Sequence, residues 1–447
     1  MGSTVWTDSM HTAVKQGLTT EAAIDAAFRR AYLPHFRAGR FDPVSSTEWS
    51  SLTLDVIGSP LHRQIQFEAA LQSFVLLRND NNILPLKKGT SVAVLGPLGV
   101  SGYSLLDDYF GDQVCFGGGY DCITTISQGI AMANAGGTTT ATSGVDINST
   151  NTTGHCCWSL WSMLFVQPDV ATCLFQTGIP EALELAAAAD VVILALGIDK
   201  TIECEGTDRT DTALPGLQEP FALKVLALGK PTILILCNGG ALAIDNLMDG
   251  PAAIIEAFNP NLAGGEALGA TLFGDYNRWG RMVYTMYPHD FINENPMTNY
   301  DMSLPPGRTY RYYTGTPLFT FGSGLSYSNM ELLCNALPPS PSSDYPFQCV
   351  NLNHGPMDGD NVVLVYHAVS DEIRKNASHP IPIKALVAFD RVSVTAGQTG
   401  GLQFTIPQTS LAVVDGNGNK VVYAGEHSLI FSQGNGVDQT FTIQVSE

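Results

Sequence analysis

The sequence predicts an α/β domain whose parallel sheet is covered on both faces, followed by an all-β sandwich. Three observations carry that prediction. First, from Ile65 to about Tyr327 short apolar runs, SVAVLG (91–96), DVVILALG (190–197), PTILILCN (231–238) and PAAIIEAF (251–258), alternate with helix-like segments near 180–189, 216–229 and 261–273. Strands apolar on both faces, spaced by helices, belong to parallel sheets packed between helix layers. Second, beyond the Pro/Ser linker LPPSPSSDYP (337–346) the pattern turns to period two, in NVVLVYHAV, IKALVAFDRVSV, GLQFTI, LAVVD, KVVYAG, HSLIFSQG and TFTIQV. Seven short strands with turn signals such as Asp415-Gly416-Asn417-Gly418 give a sandwich of about 100 residues. Third, 45% of the 447 residues are hydrophobic and 14% charged, against a globular average of about 25% charged, so much surface must be buried.

Taken in order, TTEAAIDAAFRRAYL (19–33) spaces Ile24, Ala27, Phe28 and Ala31 as one helix face, with Thr19 or Thr20 as N-cap and Gly39 as terminator. What precedes residue 50 is too short for a domain. The Gly/Ser/Thr-rich stretch from Gly117 to Thr153 reads as a loop or partly ordered insertion. In FNPNLAGGEALGATLFGD (258–275) the Gly pair reads as close helix–sheet packing, with Glu266 in the first turn of the helix.

With 22 Lys+Arg against 42 Asp+Glu the net charge is −20, and the cations are scattered, which excludes a phosphate-backbone partner. No run reaches the roughly 18 apolar residues of a membrane span, and MGSTVWTDSM has no leader pattern. The sequons at Asn148, Asn151 and Asn376, and the loop cysteines Cys115/Cys122 and Cys156/Cys157/Cys173, point to an oxidising, extracellular route for a longer parent. Cys204 and Cys237 read instead as reduced core thiols. No cofactor or metal is expected, because the histidines show no ligand spacing.

Ligands of open parallel sheets bind at the carboxyl ends of the strands, so the segment leaving 190–197 is the first place for chemistry. GIDKTIECEGTDRTDTALPGLQ carries Asp199, Glu203, Glu205, Asp208 and Asp211. A carboxyl near apolar walls or a second carboxylate has the raised pKa of a general acid, and Arg209 is placed to neutralise the carboxylate that is not the acid. The competing reading is a solvated acidic loop. CNGGAL (237–242) lacks dinucleotide or P-loop spacing and reads as a tight strand-to-loop turn.

These segments, in order, resemble the C-terminal half of glycoside hydrolase family 3, in its β-xylosidase/α-arabinofuranosidase branch. The likeness runs through AVKQGLTTEAAIDAAFRRAYLPHFRAGRFDP, FEAALQSFVLLRNDNNILPLKKGTSVAVLGP, LALGIDKTIECEGTDRTDTALPGLQ, GKPTILILCNGGALAI, FNPNLAGGEALGATLFGDYNRWGR, PPGRTYRYYTGTPLFTFGSGLSYS and PIKALVAFDRVSVTAGQTGGLQFTI. The resemblance implies a remnant of a TIM-like barrel and linker at 1–45, the family's α/β sandwich domain at 60–330 and a fibronectin type III-like domain at 345–447. It implies a retaining reaction in which a barrel aspartate attacks the anomeric carbon and a glutamate of the sandwich acts as acid/base. Glu203 is the expected acid/base and Glu205 the second candidate; Asp208 and Arg209 shape the loop, and Arg308 and Tyr310 brace the returning segment.

The Ser-Asp nucleophile segment and sugar-gripping Lys-His pair of the family's barrel have no counterpart in these residues. The expected function is therefore a β-xylosidase-like hydrolase of β-linked xylo-oligosaccharides at the family level, without turnover by this stretch alone. Two arrangements compete with it: a non-catalytic glycan-binding or accessory protein, and completion by a separately encoded barrel chain.

Overall fold

The computed structural model describes residues 9–109, 115, 119–148, 178–338 and 344–446. The chain divides into two compact units, Met1–Arg63 and Gln64–Glu447. In the first, α1 (Met10–Lys15) and α2 (Glu21–Arg37) bury no residue. Thr20 caps α2 by accepting the Ala23 N–H at 3.1 Å, and the helix runs one turn past its expected end at residue 33. It closes in a Schellman motif: Gly39 takes φ +68°, its N–H reaches Phe36 O, and the Arg40 N–H reaches His35 O. Phe28 stacks on Tyr32 at 4.2 Å and Phe36 lies 4.4 Å from Phe41, all four exposed.

The second unit holds the predicted α/β layer. α3 (Pro60–Ser73) leads into β1 (Val75–Asn79), and β2 (Ser91–Leu95), β3 (Thr138–Thr142), β4 (Val191–Gly197), β5 (Thr232–Cys237) and β6 (Ala253–Glu256) complete a six-stranded sheet in the order β1-β6-β5-β4-β2-β3. All neighbours are parallel except β1, which runs antiparallel to β6 and departs from the all-parallel expectation.

α4 (Pro97–Val100), α5 (Ile126–Ala133) and α8 (Gly264–Leu272) cover one face, where Leu98, Ile126, Ile130, Leu268 and Leu272 meet Val94, Ile193 and Ile235. α6 (Gly178–Ala188) and α7 (Gln218–Leu226) cover the other, through Ala182, Ala186, Phe221 and Val225. Every residue of β4 is buried, which is why its sequence lacks any alternation.

Two readings of this layer need correction. The stretch from 117 to 153, expected as a loop or partly ordered insertion, contributes α5, with a Thr125/Gln128 capping box, and the edge strand β3. The glycines of α8 serve helix–helix rather than helix–sheet contact. A Cβ on Gly129 of α5 would lie 1.8 Å from Gly265 O, and one on Gly269 would lie 2.1 Å from Gly129 O, so the two backbones touch.

The sandwich pairs the sheet β10-β9-β14-β15 (Ala385–Val394, Gly359–Val369, Gly425–Ser432, Asp438–Val445) with β11-β8-β7 (Thr399–Ile406, Tyr345–Asn353, Met330–Ala336). β7 precedes the Pro/Ser segment and still pairs with β8. LAVVD and KVVYAG shrink to the two-residue strands β12 (Val413–Val414) and β13 (Lys420–Val421). Phe347, Phe404 and Phe431 fill the core, and a disulfide joins the facing residues Cys334 and Cys349. Arg391 and Arg281 tie the sandwich to the α/β layer: Arg391 donates to Gln72 O and Arg278 O and pairs with Asp360, while Arg281 donates to Gln433 O and Asn361.

Of the outward-facing signals, Asn148 and Asn376 are exposed and Cys115–Cys122 is a disulfide; Asn151, Cys156, Cys157 and Cys173 lie outside the described residues. Among the described residues no helix is long and apolar enough to cross a membrane.

Candidate active site

β4 ends at Gly197, where a Cβ would lie 1.8 Å from Cys237 O of β5, so the strand can leave the sheet here only as glycine. Asp199, buried, starts the loop by accepting the Thr201 N–H and hydroxyl, while its carbonyl takes the Ile202 and Glu203 N–H groups. Cys204 and Thr207 then exchange both backbone hydrogen bonds around Glu205-Gly206, with Gly206 at φ +80°. This tight turn separates the two candidate glutamates. Glu205 sits exposed at its tip, its N–H donating to Asp108 at 2.9 Å. Glu203 stands at its base, half-buried and ion-paired with Arg209.

Arg209 thus engages the expected acid/base itself and not the other carboxylate, contrary to the sequence reading. Its Nη2 also donates to Ala241 O at 2.8 Å, which seats the pair on the turn that follows β5. A Cβ on Gly240 would lie 2.4 Å from Glu203 Oε1 and 2.9 Å from Arg209 Nη2, so glycine leaves the room the pair occupies. The CNGGAL segment is the tight turn its sequence suggests, and it forms the floor of the site.

A cavity of about 250 Å³ opens here, lined by Asp199, Glu203, Glu205 and Asp208 together with Asp107, Asp108, Lys200 and Asn259. Its size fits a monosaccharide-sized group. Lys200 lies 3.7 Å over the Tyr103 ring and donates to Tyr103 O; burial pulls its pKa down. At the rim Tyr109 hydrogen-bonds Glu205, and that bond raises the phenol pKa.

Not every expected residue converges. Asp211 turns away to His289 at 2.8 Å, and its pKa is lowered first by the Ala213 N–H and then by the histidine. Arg308 holds the Asn295–Pro296 segment, and the Tyr310 hydroxyl accepts the Leu386 N–H; neither lines the cavity. Cys204, expected in the core, is half-buried on the cavity wall, because the tight turn carries it out of the sheet. Cys237 is fully buried, and burial pushes its thiol pKa up.

One group beneath the floor escaped the sequence reading. Glu256 ends β6 with no exposure, accepting Asn238 Nδ2 at 2.8 Å and the Phe258 N–H at 3.0 Å on Oε1, and the Tyr284 hydroxyl at 3.0 Å on Oε2. Burial pushes its pKa up to about 7 against the pull of those three donors. A lone charge in the apolar run PAAIIEAF was the available signal.

The class the fold and the cavity define is a mixed α/β layer with an acidic cavity at its carboxyl edge, joined to a β-sandwich. The glycosyl hydrolase family 3 C-terminal domain matches residues 74–327 and a fibronectin type III-like domain matches 361–433, so the chain belongs to glycoside hydrolase family 3. It is 31% identical over 440 residues to the exo-1,4-beta-xylosidase bxlB of Emericella nidulans, covering 94% of this chain and 52% of that protein. Beta-D-xylosidase 1 of Arabidopsis thaliana is 29% identical, with 93% and 54% covered. The solved family 3 exo-beta-xylosidase XlnD, in complex with a xylobiose aziridine probe, superposes with a TM-score of 0.80 at 28% identity over 99% of this chain and 56% of that one. The chain spans about half the length of the curated relatives it matches.

Proposed function

We propose that this chain carries the acid/base half of a retaining β-xylosidase-like site acting on β-linked xylo-oligosaccharides, with Glu203 as the acid/base. The observation that carries the reading is Glu203 itself: a glutamate on the wall of a sugar-sized cavity, at the carboxyl edge of the sheet, in a chain collinear with exo-xylosidases. Glu205, exposed at the tip of the turn, is the second candidate.

In the proposed reaction a carboxylate from a barrel segment, about 5 Å away, attacks the anomeric carbon while protonated Glu203 gives its proton to the departing oxygen. Glu203, now a carboxylate, then takes a proton from water as that water releases the sugar from the enzyme. Arg209 fixes the Glu203 carboxyl against the floor, and Asp208 shapes the rim. The nucleophile comes from the barrel of a longer parent or from a separately encoded barrel chain. The three parts are the barrel remnant and linker (1–45), the sandwich domain (60–330) and the fibronectin type III-like domain (345–447), whose smaller sheet also takes in β7 from before the Pro/Ser segment. Exposed sequons at Asn148 and Asn376 and, among the described residues, two disulfides support a secretory route for the parent.

The test is to assay aryl β-xyloside hydrolysis by these 447 residues alone and after co-expression with a family 3 barrel segment. Turnover only in the combined sample, lost in Glu203→Ala, supports the reading. Hydrolysis by the 447 residues alone overturns the need for a second carboxylate from a barrel.

A further inference from the structure

The floor of the site is a five-residue turn, 238–242, held at both ends by one buried carboxyl. At its start, Asn238 donates to Glu256 Oε1. At its end, Leu242 sits beside the Tyr284 hydroxyl, which donates to Glu256 Oε2. Between these anchors sit Gly240, whose missing Cβ makes room for Glu203, and Ala241, whose carbonyl holds Arg209. Arg209 Nε closes the series on Glu203.

We propose that Glu256 is a positioning residue for Glu203, fixing the acid/base carboxyl through the 238–242 turn and Arg209. The inference rests on the reading of Glu203 as the acid/base. An apolar side chain at 256 would suit β6 better, since Ala253, Ile254 and Ile255 beside it are fully buried. It would, however, leave the Asn238 amide and the Tyr284 hydroxyl without an acceptor and release both ends of the turn. Among the described residues the ionisable groups that face Glu256 are Tyr284 and Cys237, both buried; none of them is a cation, and the carboxyl is held there by hydrogen bonds.

The experiment uses the 447-residue chain and reads the solvent exchange of the Arg209 side-chain Nε–H by NMR, the signal being identified by its loss in Arg209→Lys. Glu256→Ala removes the acceptor at both ends of the turn and is expected to speed that exchange by roughly tenfold. Glu256→Gln keeps an acceptor for Asn238 and is expected to stay within about twofold of the parent. Tyr284→Phe, which keeps the ring and therefore the packing, is expected to give about fivefold. The Arg281 Nε–H, bound to Gln433 O at the sandwich junction, is the internal reference and should not change, whereas general loosening would move both signals.

The proposal is overturned if Arg209 exchange in folded Glu256→Ala and Tyr284→Phe stays within twofold of the parent, or if Arg281 accelerates equally. It is overturned too if Glu256→Gln exchanges as fast as Glu256→Ala. Should Glu256→Ala not fold, Tyr284→Phe and Glu256→Gln still decide. None of these readouts depends on turnover, so a failure of Glu203 as acid/base would appear in the hydrolysis assay and leave the exchange result standing.

Discussion

Replacing Glu256 by glutamine should change how stability depends on pH, in a direction fixed by where the carboxyl sits. Its pKa is about 7 in the folded chain against an ordinary 4.5. Between these two values the folded state holds a proton that the unfolded state has released, so stability falls as pH rises through that window and levels off above about 7. The difference of roughly 2.5 units corresponds to about 3 kcal/mol at 1.36 kcal/mol per unit. Glutamine cannot ionise and presents nearly the same shape to Asn238, Phe258 and Tyr284. The stability of Glu256→Gln minus that of the parent should therefore rise by about 3 kcal/mol from pH 4.5 to pH 8. Urea unfolding of both proteins at half-unit pH steps measures it, and taking the difference removes the other carboxylates and His367. A difference that stays flat across the window would refute the assignment of a buried, raised carboxyl at the end of β6.

Other consequences are as concrete. Gly240→Ala should displace the Glu203 carboxyl and cost about 10²-fold in the activity of the barrel-completed protein, while the melting temperature moves little because the displaced group is a flexible, half-open side chain. Gly129→Ala should gain up to ~1 kcal/mol of helix propensity but lose more to the clash with Gly265 O, a net destabilisation of about 1–3 kcal/mol by thermal unfolding. Cys334→Ala with Cys349→Ala opens a loop with a sequence separation of 15 and should cost about 3 kcal/mol in denaturant unfolding. His367, against His427 at 2.8 Å, has its pKa pulled down to about 4 by burial first and by its neighbour second. The unfolded state binds the extra proton between about 4 and 6.5, so this residue makes stability rise with pH there, and His367→Gln should flatten that rise in acid titrations.

Much of this was legible in the sequence because burial writes itself as pattern. β4 is apolar from end to end, and β5 after Thr232, since helices cover both faces, and sandwich strands such as β7 and β11 alternate since one face meets the aromatic core while the other meets water. β3 was not legible: TTTAT is an edge strand with mostly exposed side chains, and its residues carry no apolar signal at all. β1 was hidden by the helix before it, and β7 by the linker after it, because pairing across long separations leaves no local mark. The acidic loop announced the site, but only the tight turn at Glu205-Gly206 separates Glu203 from Glu205, and that is a matter of backbone hydrogen bonds. Glu256 was readable as a misplaced charge; its role lies in contacts with Asn238 and Tyr284, 18 and 28 residues away.

The central claim is that Glu203 is the acid/base, and azide trapping tests it most directly. In the barrel-completed protein, Glu203→Ala should lose about 10²–10⁴-fold on xylobiose, whose leaving group needs the acid. On an activated aryl β-xyloside, azide should restore turnover and yield the β-configured xylosyl azide, because a small anion can stand in for the water that the missing base no longer activates. If Glu205→Ala gives that product and Glu203→Ala retains ordinary hydrolysis, the assignment is contradicted.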